Sequence, residues 1–154
     1  MNARSIVLTL VLCLFGVSMC YAADLNMGTW KLNEAKSKLA ADAPKINTVV
    51  VTAAGDQVKV TVDGVDGAGK PTHNEWTGKF DGKDYAVTGD PTSDARAYKK
   101  VDDHKMELTV KKDGKVTASG PIIVAADGKS RTVSTSGTDP KGKKFSNTSV
   151  YDKQ

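Results

Sequence analysis

Nine turn signals punctuate the chain beyond residue 53, mostly nine to fourteen residues apart. They read Ala54-Gly55-Asp56, Asp66-Gly67-Ala68-Gly69, Asp81-Gly82, Gly89-Asp90-Pro91, Asp102-Asp103, Asp113-Gly114, Asp127-Gly128, Asp139-Pro140 and Gly142. Gly and Asp tolerate the positive φ of tight hairpins, and the Val- and Thr-rich stretches between them fit a pleated strand. Punctuation this regular predicts consecutive antiparallel strands. Such a meander has two unpaired edges that must meet each other or be covered. The expected fold is therefore all-β: a single up-and-down antiparallel barrel of about ten strands.

The strands are expected near residues 28–32, 46–53, 57–65, 72–80, 84–88, 96–101, 105–111, 115–124, 130–138 and 143–151. Asn33 reads as the N-cap of a short helix running to Leu39, with Glu34 in its first turn. Val58, Val60 and Val62 alternate with Lys59, Thr61 and Asp63, and Met106, Leu108 and Val110 alternate with charged or hydroxyl residues. Alternation means one buried and one wet face, which argues against a parallel α/β sheet. The later strands are less regular. Residues 130–138 hold one aliphatic side chain, Val133, while Phe145, Asn147, Ser149 and Tyr151 share a face. If that face points inward, the interior is partly polar and has room for water or a ligand.

Residues 1–22 read as an export signal, with Arg4 ahead of an apolar run from Ile6 to Val17. Cleavage is expected after Ala22, giving a periplasmic or secreted chain of one domain, residues 23–154. A lipoprotein acylated at Cys20 is the alternative, although Met19 is bulky where that site needs a small residue. Both cysteines, Cys13 and Cys20, lie inside the signal, so residues 23–154 offer no disulfide, thiol nucleophile or Cys-based zinc site. Beyond residue 22 there are 21 Lys and Arg against 18 Asp and Glu. Their scatter among turns and outward positions fits a solvated surface that resists edge pairing, not a nucleic-acid face. No membrane span is expected, and the protein is expected to be a monomer.

No metal or cofactor site is expected. His73 and Glu75 share a strand face, but two ligands are too few for zinc, and His104 lies in a turn. No catalytic residue is assigned: neither histidine has a nucleophile motif nearby, and Gly67-Ala68-Gly69-Lys70 lies in a hairpin with no following helix to make a phosphate loop. The candidate ligand-binding residues are Trp76, Tyr85, Arg96, Tyr98, Arg131 and Tyr151. Arg96 and Arg131 stand out among nineteen lysines beyond residue 22, because a guanidinium fork suits a carboxylate. Arg96 and Tyr98 share a face. The flanking Lys99 and Lys100 favour turning that face outward. Trp76 with Phe80, and Tyr85 with Val87, fit core packing as well as ligand lining.

Gly28-x-Trp30 on a first strand, followed by a short helix and a meander, resembles the calycin superfamily of lipocalins and fatty-acid-binding-protein-like barrels. Three blocks in order strengthen the likeness: Gly28-Thr29-Trp30-Lys31-Leu32-Asn33 with Ser37-Lys38, then Asp81-Gly82-Lys83-Asp84-Tyr85, then Gly89-Asp90-Pro91. They look like a group of small exported bacterial lipocalin-like proteins. The resemblance implies that Trp30 closes one end of the barrel beside a basic residue of the last strand, a role open to Lys153. It also implies a central cavity, and inward Arg and Tyr holding a carboxylate as in fatty-acid-binding barrels. It brings no catalytic residue. The expected function is non-enzymatic binding of a small hydrophobic or amphipathic molecule. The alternative is a structural or interaction protein of the cell envelope, with a solid barrel and a Lys-rich binding surface.

Overall fold

The computed structural model describes residues 24–139 and 141–154. The expected signal and its cleavage site lie outside the described residues. Ten strands follow in order: β1 (Gly28–Leu32), β2 (Lys45–Ala54), β3 (Gln57–Val65), β4 (Pro71–Gly78), β5 (Tyr85–Thr88), β6 (Ala95–Lys100), β7 (Lys105–Lys112), β8 (Lys115–Val124), β9 (Ser130–Thr138) and β10 (Lys144–Lys153). Each pairs antiparallel with its neighbours in sequence, and β10 returns to β1, so the sheet is a closed barrel. Among the described residues no helix is long and apolar enough to cross a membrane.

Turn chemistry sets the meander locally. Asp113 and Gly114 both take positive φ (51° and 74°), the hairpin geometry whose twist matches the strands on either side. Register then brings the alternating valines together: Val51 faces Val60, Val49 faces Val62, and all four are buried. On the outward face Lys59 of β3 and Glu75 of β4 form a surface ion pair at 2.7 Å. In β8, Gly120 approaches β9 so closely that a β-carbon would collide with the carbonyl oxygen of Ser134. Pro121 follows with no N–H to donate, and the β8–β9 pairing is interrupted between Ser119↔Ser136 and Ile122↔Val133, which keep one register.

The expected helix to Leu39 is a single 3-10 turn, Glu34–Lys36. Asn33 caps it as expected, its Oδ1 accepting from the Lys36 N–H at 3.2 Å. Beyond Lys36 the backbone has better partners in the sheet. The Lys38 N–H donates to the Thr148 carbonyl at 2.7 Å and the Lys38 carbonyl accepts from the Thr148 N–H at 2.8 Å, while Ser37 Oγ accepts from the Val150 N–H at 2.9 Å. Pairing with β10 satisfies the groups that a second helical turn would have used.

Trp30 is fully buried where β1 meets both neighbours, opposite Lys153 of β10 and Val49 of β2. Its indole N–H donates to the Asn26 carbonyl at 2.9 Å. The Lys153 ammonium lies 5.0 Å from the ring centroid and donates to the Leu25 carbonyl at 3.2 Å, which is the basic neighbour expected from β10. Residues 24–27 cross this end of the barrel, and Asp24 ties them to Lys100 of β6 at 3.1 Å. Removing the Trp30 side chain would leave a void and unsupported rings, a change that costs about 3–5 kcal/mol. Trp30→Ala is therefore expected to lower the denaturation midpoint sharply, read by urea unfolding followed by circular dichroism. A wild-type curve would show that the closure does not depend on this side chain.

Candidate functional site

A cavity of about 250 Å³ occupies the barrel interior. Its walls are mainly aliphatic: Val49 and Val51 of β2, Val60 and Val62 of β3, Met106, Leu108 and Val110 of β7, with Ile122 and Val133 beyond them. Polar atoms enter from β6, β9 and β10, through Arg96, Tyr98, Arg131, Thr135, Asn147, Ser149 and Tyr151. Leu39 and Pro44 of the β1–β2 connection, with Ile46 at the start of β2, line the end away from Trp30. Asn147 holds that connection in place, its Oδ1 accepting from the Ala40 N–H at 2.9 Å. The face shared by Phe145, Asn147, Ser149 and Tyr151 thus points inward, and the interior is partly polar.

Four of the six candidate residues line this cavity: Arg96, Tyr98, Arg131 and Tyr151. The outward placement favoured for Arg96 and Tyr98 by their flanking lysines is corrected. Both are buried, and the lysines belong to the last two positions of β6, where the strand leaves the barrel. Arg96 can sit inside because it is paired: its Nη2 donates to Asp90 Oδ2 at 2.8 Å. The same carboxylate accepts from Ser93 Oγ at 2.5 Å, and from the Thr92 N–H and hydroxyl at 2.8 and 2.7 Å. Burial pushes the Asp90 carboxyl upward, but these donors and the Arg96 charge outweigh it and hold the group below its ordinary range.

Trp76 and Tyr85 do not line the cavity. Trp76 is buried in an aromatic cluster, stacked on Phe80 at 6.2 Å and edge-on to Tyr98 at 4.7 Å. Its indole N–H donates to the Arg96 carbonyl at 3.0 Å, spanning from β4 to β6. β5 between them pairs at only two positions on either side, so the indole supplies a link across the weakest seam. Tyr85 packs edge-on to Trp76 and donates its hydroxyl to Asp81 at 3.0 Å. Both are core and rim residues, because strand position alone cannot separate a packed ring from a lining one.

Arg131 differs from Arg96 in having no acidic partner among the described residues. It is 5 % exposed, its guanidinium lies 4.8 Å from the Trp30 ring and 5.3 Å from the Tyr151 ring, and its Nε has no hydrogen-bond acceptor among the described residues. Burial pulls its pKa down to about 10, which leaves it charged at neutral pH. Among the described residues no His, Asp, Glu or Lys lines the cavity.

The histidines lie outside the cavity. His73 Nδ1 is 2.6 Å from Asp63, whose hydrogen bond raises the imidazole pKa, and Nε2 is 3.7 Å from Glu75. Glu75 is itself paired with Lys59, and no cluster of three metal-ligating groups forms among the described residues. His104 Nδ1 lies 3.2 Å from the Val124 carbonyl, so that nitrogen carries the proton.

A scan against protein-family models finds no match. A sequence comparison with characterised proteins finds no match either.

Sequence reasoning missed Leu39, Pro44, Ile46 and Thr135 as lining residues. The first two sit on a connection with no periodicity to place them, and Thr135 lies in a strand nearly without aliphatic markers. The Asp90–Arg96 pair carries a further expectation. A carboxyl held below its ordinary pKa contributes stability above that ordinary value and loses it as pH falls through the folded-state value. Asp90→Asn is expected to destabilise the barrel at neutral pH by about 1–3 kcal/mol, through the unpaired buried guanidinium. In urea melts across acidic pH, the gap to wild type should narrow as Asp90 of the wild type becomes protonated. A gap independent of pH would remove the pair from the account.

Proposed function

We propose that this chain is an exported, calycin-like carrier that holds a small amphipathic molecule inside its barrel. The observation that carries the reading is the cavity itself. An interior of about 250 Å³ with aliphatic walls and a few converging polar groups is the ordinary form of a small-molecule site. A barrel built only for rigidity would fill that space with side chains, since protein interiors pack to crystal-like density. The reading is non-enzymatic: Ser149 and the cavity tyrosines have no acid–base partner in the lining to activate them. The G-x-W opening at Gly28 and Trp30 supports the calycin likeness, as does Lys153 over the indole. Export rests on the character of residues 1–22.

The envelope-surface alternative has less support. It needs a solid interior, and many surface lysines are engaged locally with acids, among them Lys45 with Glu34, Lys79 with Asp56 and Lys111 with Asp84.

Native mass spectrometry of the protein purified from its own host tests the carrier reading. The expected spectrum has a small-molecule increment that disappears on denaturation. Adding the released compound back at about 100 times its Kd should stabilise the fold by about 2.7 kcal/mol. That gain appears as a melting temperature higher by several degrees. A barrel that carries nothing, and whose melting temperature no small amphiphile raises, would overturn the proposal.

A further inference from the structure

We infer that the tips of two neighbouring hairpins, β7–β8 and β9–β10, form a docking surface for an anionic lipid bilayer. The inference rests on the carrier reading only for its purpose, delivery of an amphipathic cargo, while the contact itself is a separate property of the surface. Both tips lie at the end of the barrel away from Trp30. β10 reaches the closed end at Lys153, so it starts at the other end with Lys144, where β9 finishes. Ala118 near the start of β8 pairs with Gly137 near the end of β9, which sets the two tips side by side. They carry Lys112, Lys115, Lys141, Lys143 and Lys144. Among the described residues none of these five forms an ion pair, whereas Lys45, Lys59, Lys79, Lys100 and Lys111 are each held by an acid.

Three acids, Asp94, Asp113 and Asp139, stand against these five lysines and leave an excess of two positive charges. Two of the acids are turned into the backbone. Asp139 Oδ1 accepts from the Lys141 and Lys143 N–H groups at 2.9 and 2.8 Å, and Asp94 Oδ2 accepts from the Asp113 N–H at 2.7 Å. The ammonium groups, on long stems and with no acid to hold them, are free to reach phosphate head groups. Each lysine brought to an anionic membrane surface strengthens binding about fivefold. Val116, next to Lys115, is 58 % exposed, more than Ile46, Val101 or Ile123. An apolar side chain among lysines fits a charged head-group layer with acyl chains beneath it, whereas a soluble polyanion has no use for the valine. Phe145 follows Lys144 and lines the cavity, so docking through these tips brings the end of the cavity away from Trp30 to the bilayer.

Cosedimentation of the protein purified from its host tests this surface, with vesicles of phosphatidylglycerol and phosphatidylcholine in equal parts compared with phosphatidylcholine alone. At low ionic strength the anionic vesicles are expected to be preferred by about 25-fold, two charges at about fivefold each, and the preference should shrink as salt is raised. Lys115→Gln combined with Lys143→Gln cancels the excess and should abolish most of it. Lys99→Gln combined with Lys129→Gln removes the same charge from exposed positions at the closed end and should change binding less than about twofold. Val116→Ser should weaken vesicle binding about three- to tenfold and leave binding of soluble polyphosphate unchanged. Circular dichroism checks the fold of each variant. No preference of the wild type for anionic vesicles would overturn the docking surface and leave the carrier reading standing, since the mass increment tests that reading by itself. Equal losses in the two double variants would mean attraction by net charge alone and would overturn the assignment to the tips. Polyphosphate bound as tightly as anionic vesicles, with Val116→Ser weakening neither, would overturn the bilayer in favour of a soluble polyanion.

Discussion

The indole of Trp30 stands where the first strand meets the last, with β1 opposite β10 on one side and β2 on the other. A ten-strand meander left open would expose two edges of unpaired backbone groups, and closure removes both. Closure here joins residues more than a hundred positions apart, so its loop-closure entropy must be met by strong local packing. Burying a whole tryptophan, with its N–H satisfied by Asn26 and a lysine over the ring, provides that packing at the seam itself. The segment before β1 is drawn in with it, since Leu25 and Asn26 supply the carbonyls that Lys153 and Trp30 need. One end of the barrel is shut as a consequence of how the sheet is closed.

A second constraint sits across the barrel, at β5. Four residues cannot hold β4 and β6 together by ladder bonds alone, and the pairings are few. The Trp76 indole reaches over β5 to the Arg96 carbonyl, and Phe80, Tyr85 and Tyr98 pack around it. Gly78 makes room for this cluster, because a β-carbon there would lie 2.5 Å from the Tyr85 ring. The cluster explains why rings on β4 and β5 are structural, while Tyr98, one strand further on, contributes to both the cluster and the cavity wall. The Asp90 loop anchors the same region from the side, where Arg96 ties β6 back to the β5–β6 connection.

The cavity inherits its character from these two seams. The aliphatic wall comes from β2, β3 and β7, which alternate cleanly and need no polar groups inside. The polar groups come from β6, β9 and β10, with Arg131 next to the Trp30 closure. Arg131 belongs to that closure as much as to the cavity: its guanidinium rests on the Trp30 ring and so carries positive charge into the space behind it. That face of the interior is therefore charged and already fixed by the packing that shuts the sheet.

Strand limits, turn positions and the up-and-down order were legible in the sequence, because they depend on neighbours. Asp113-Gly114 sets its hairpin from its own backbone preferences, and Val58, Val60 and Val62 show their common face through a period of two. Trp30 and its lysine partner were legible by resemblance. What sequence could not decide was orientation wherever local composition is mixed. The lysines after Tyr98 favour an outward Arg96, yet a carboxylate six residues upstream pairs with the arginine and lets it stay buried. Asn33 signalled a helix that ends after one turn, because Thr148 and Val150 of the last strand claim the next backbone groups. Arg131 and Trp30 meet only after β9 and β10 have wrapped round to β1. Local chemistry specified each strand by itself, whereas the inward face of each, and the charge left unpaired among them, followed from a register that only the closed barrel imposes.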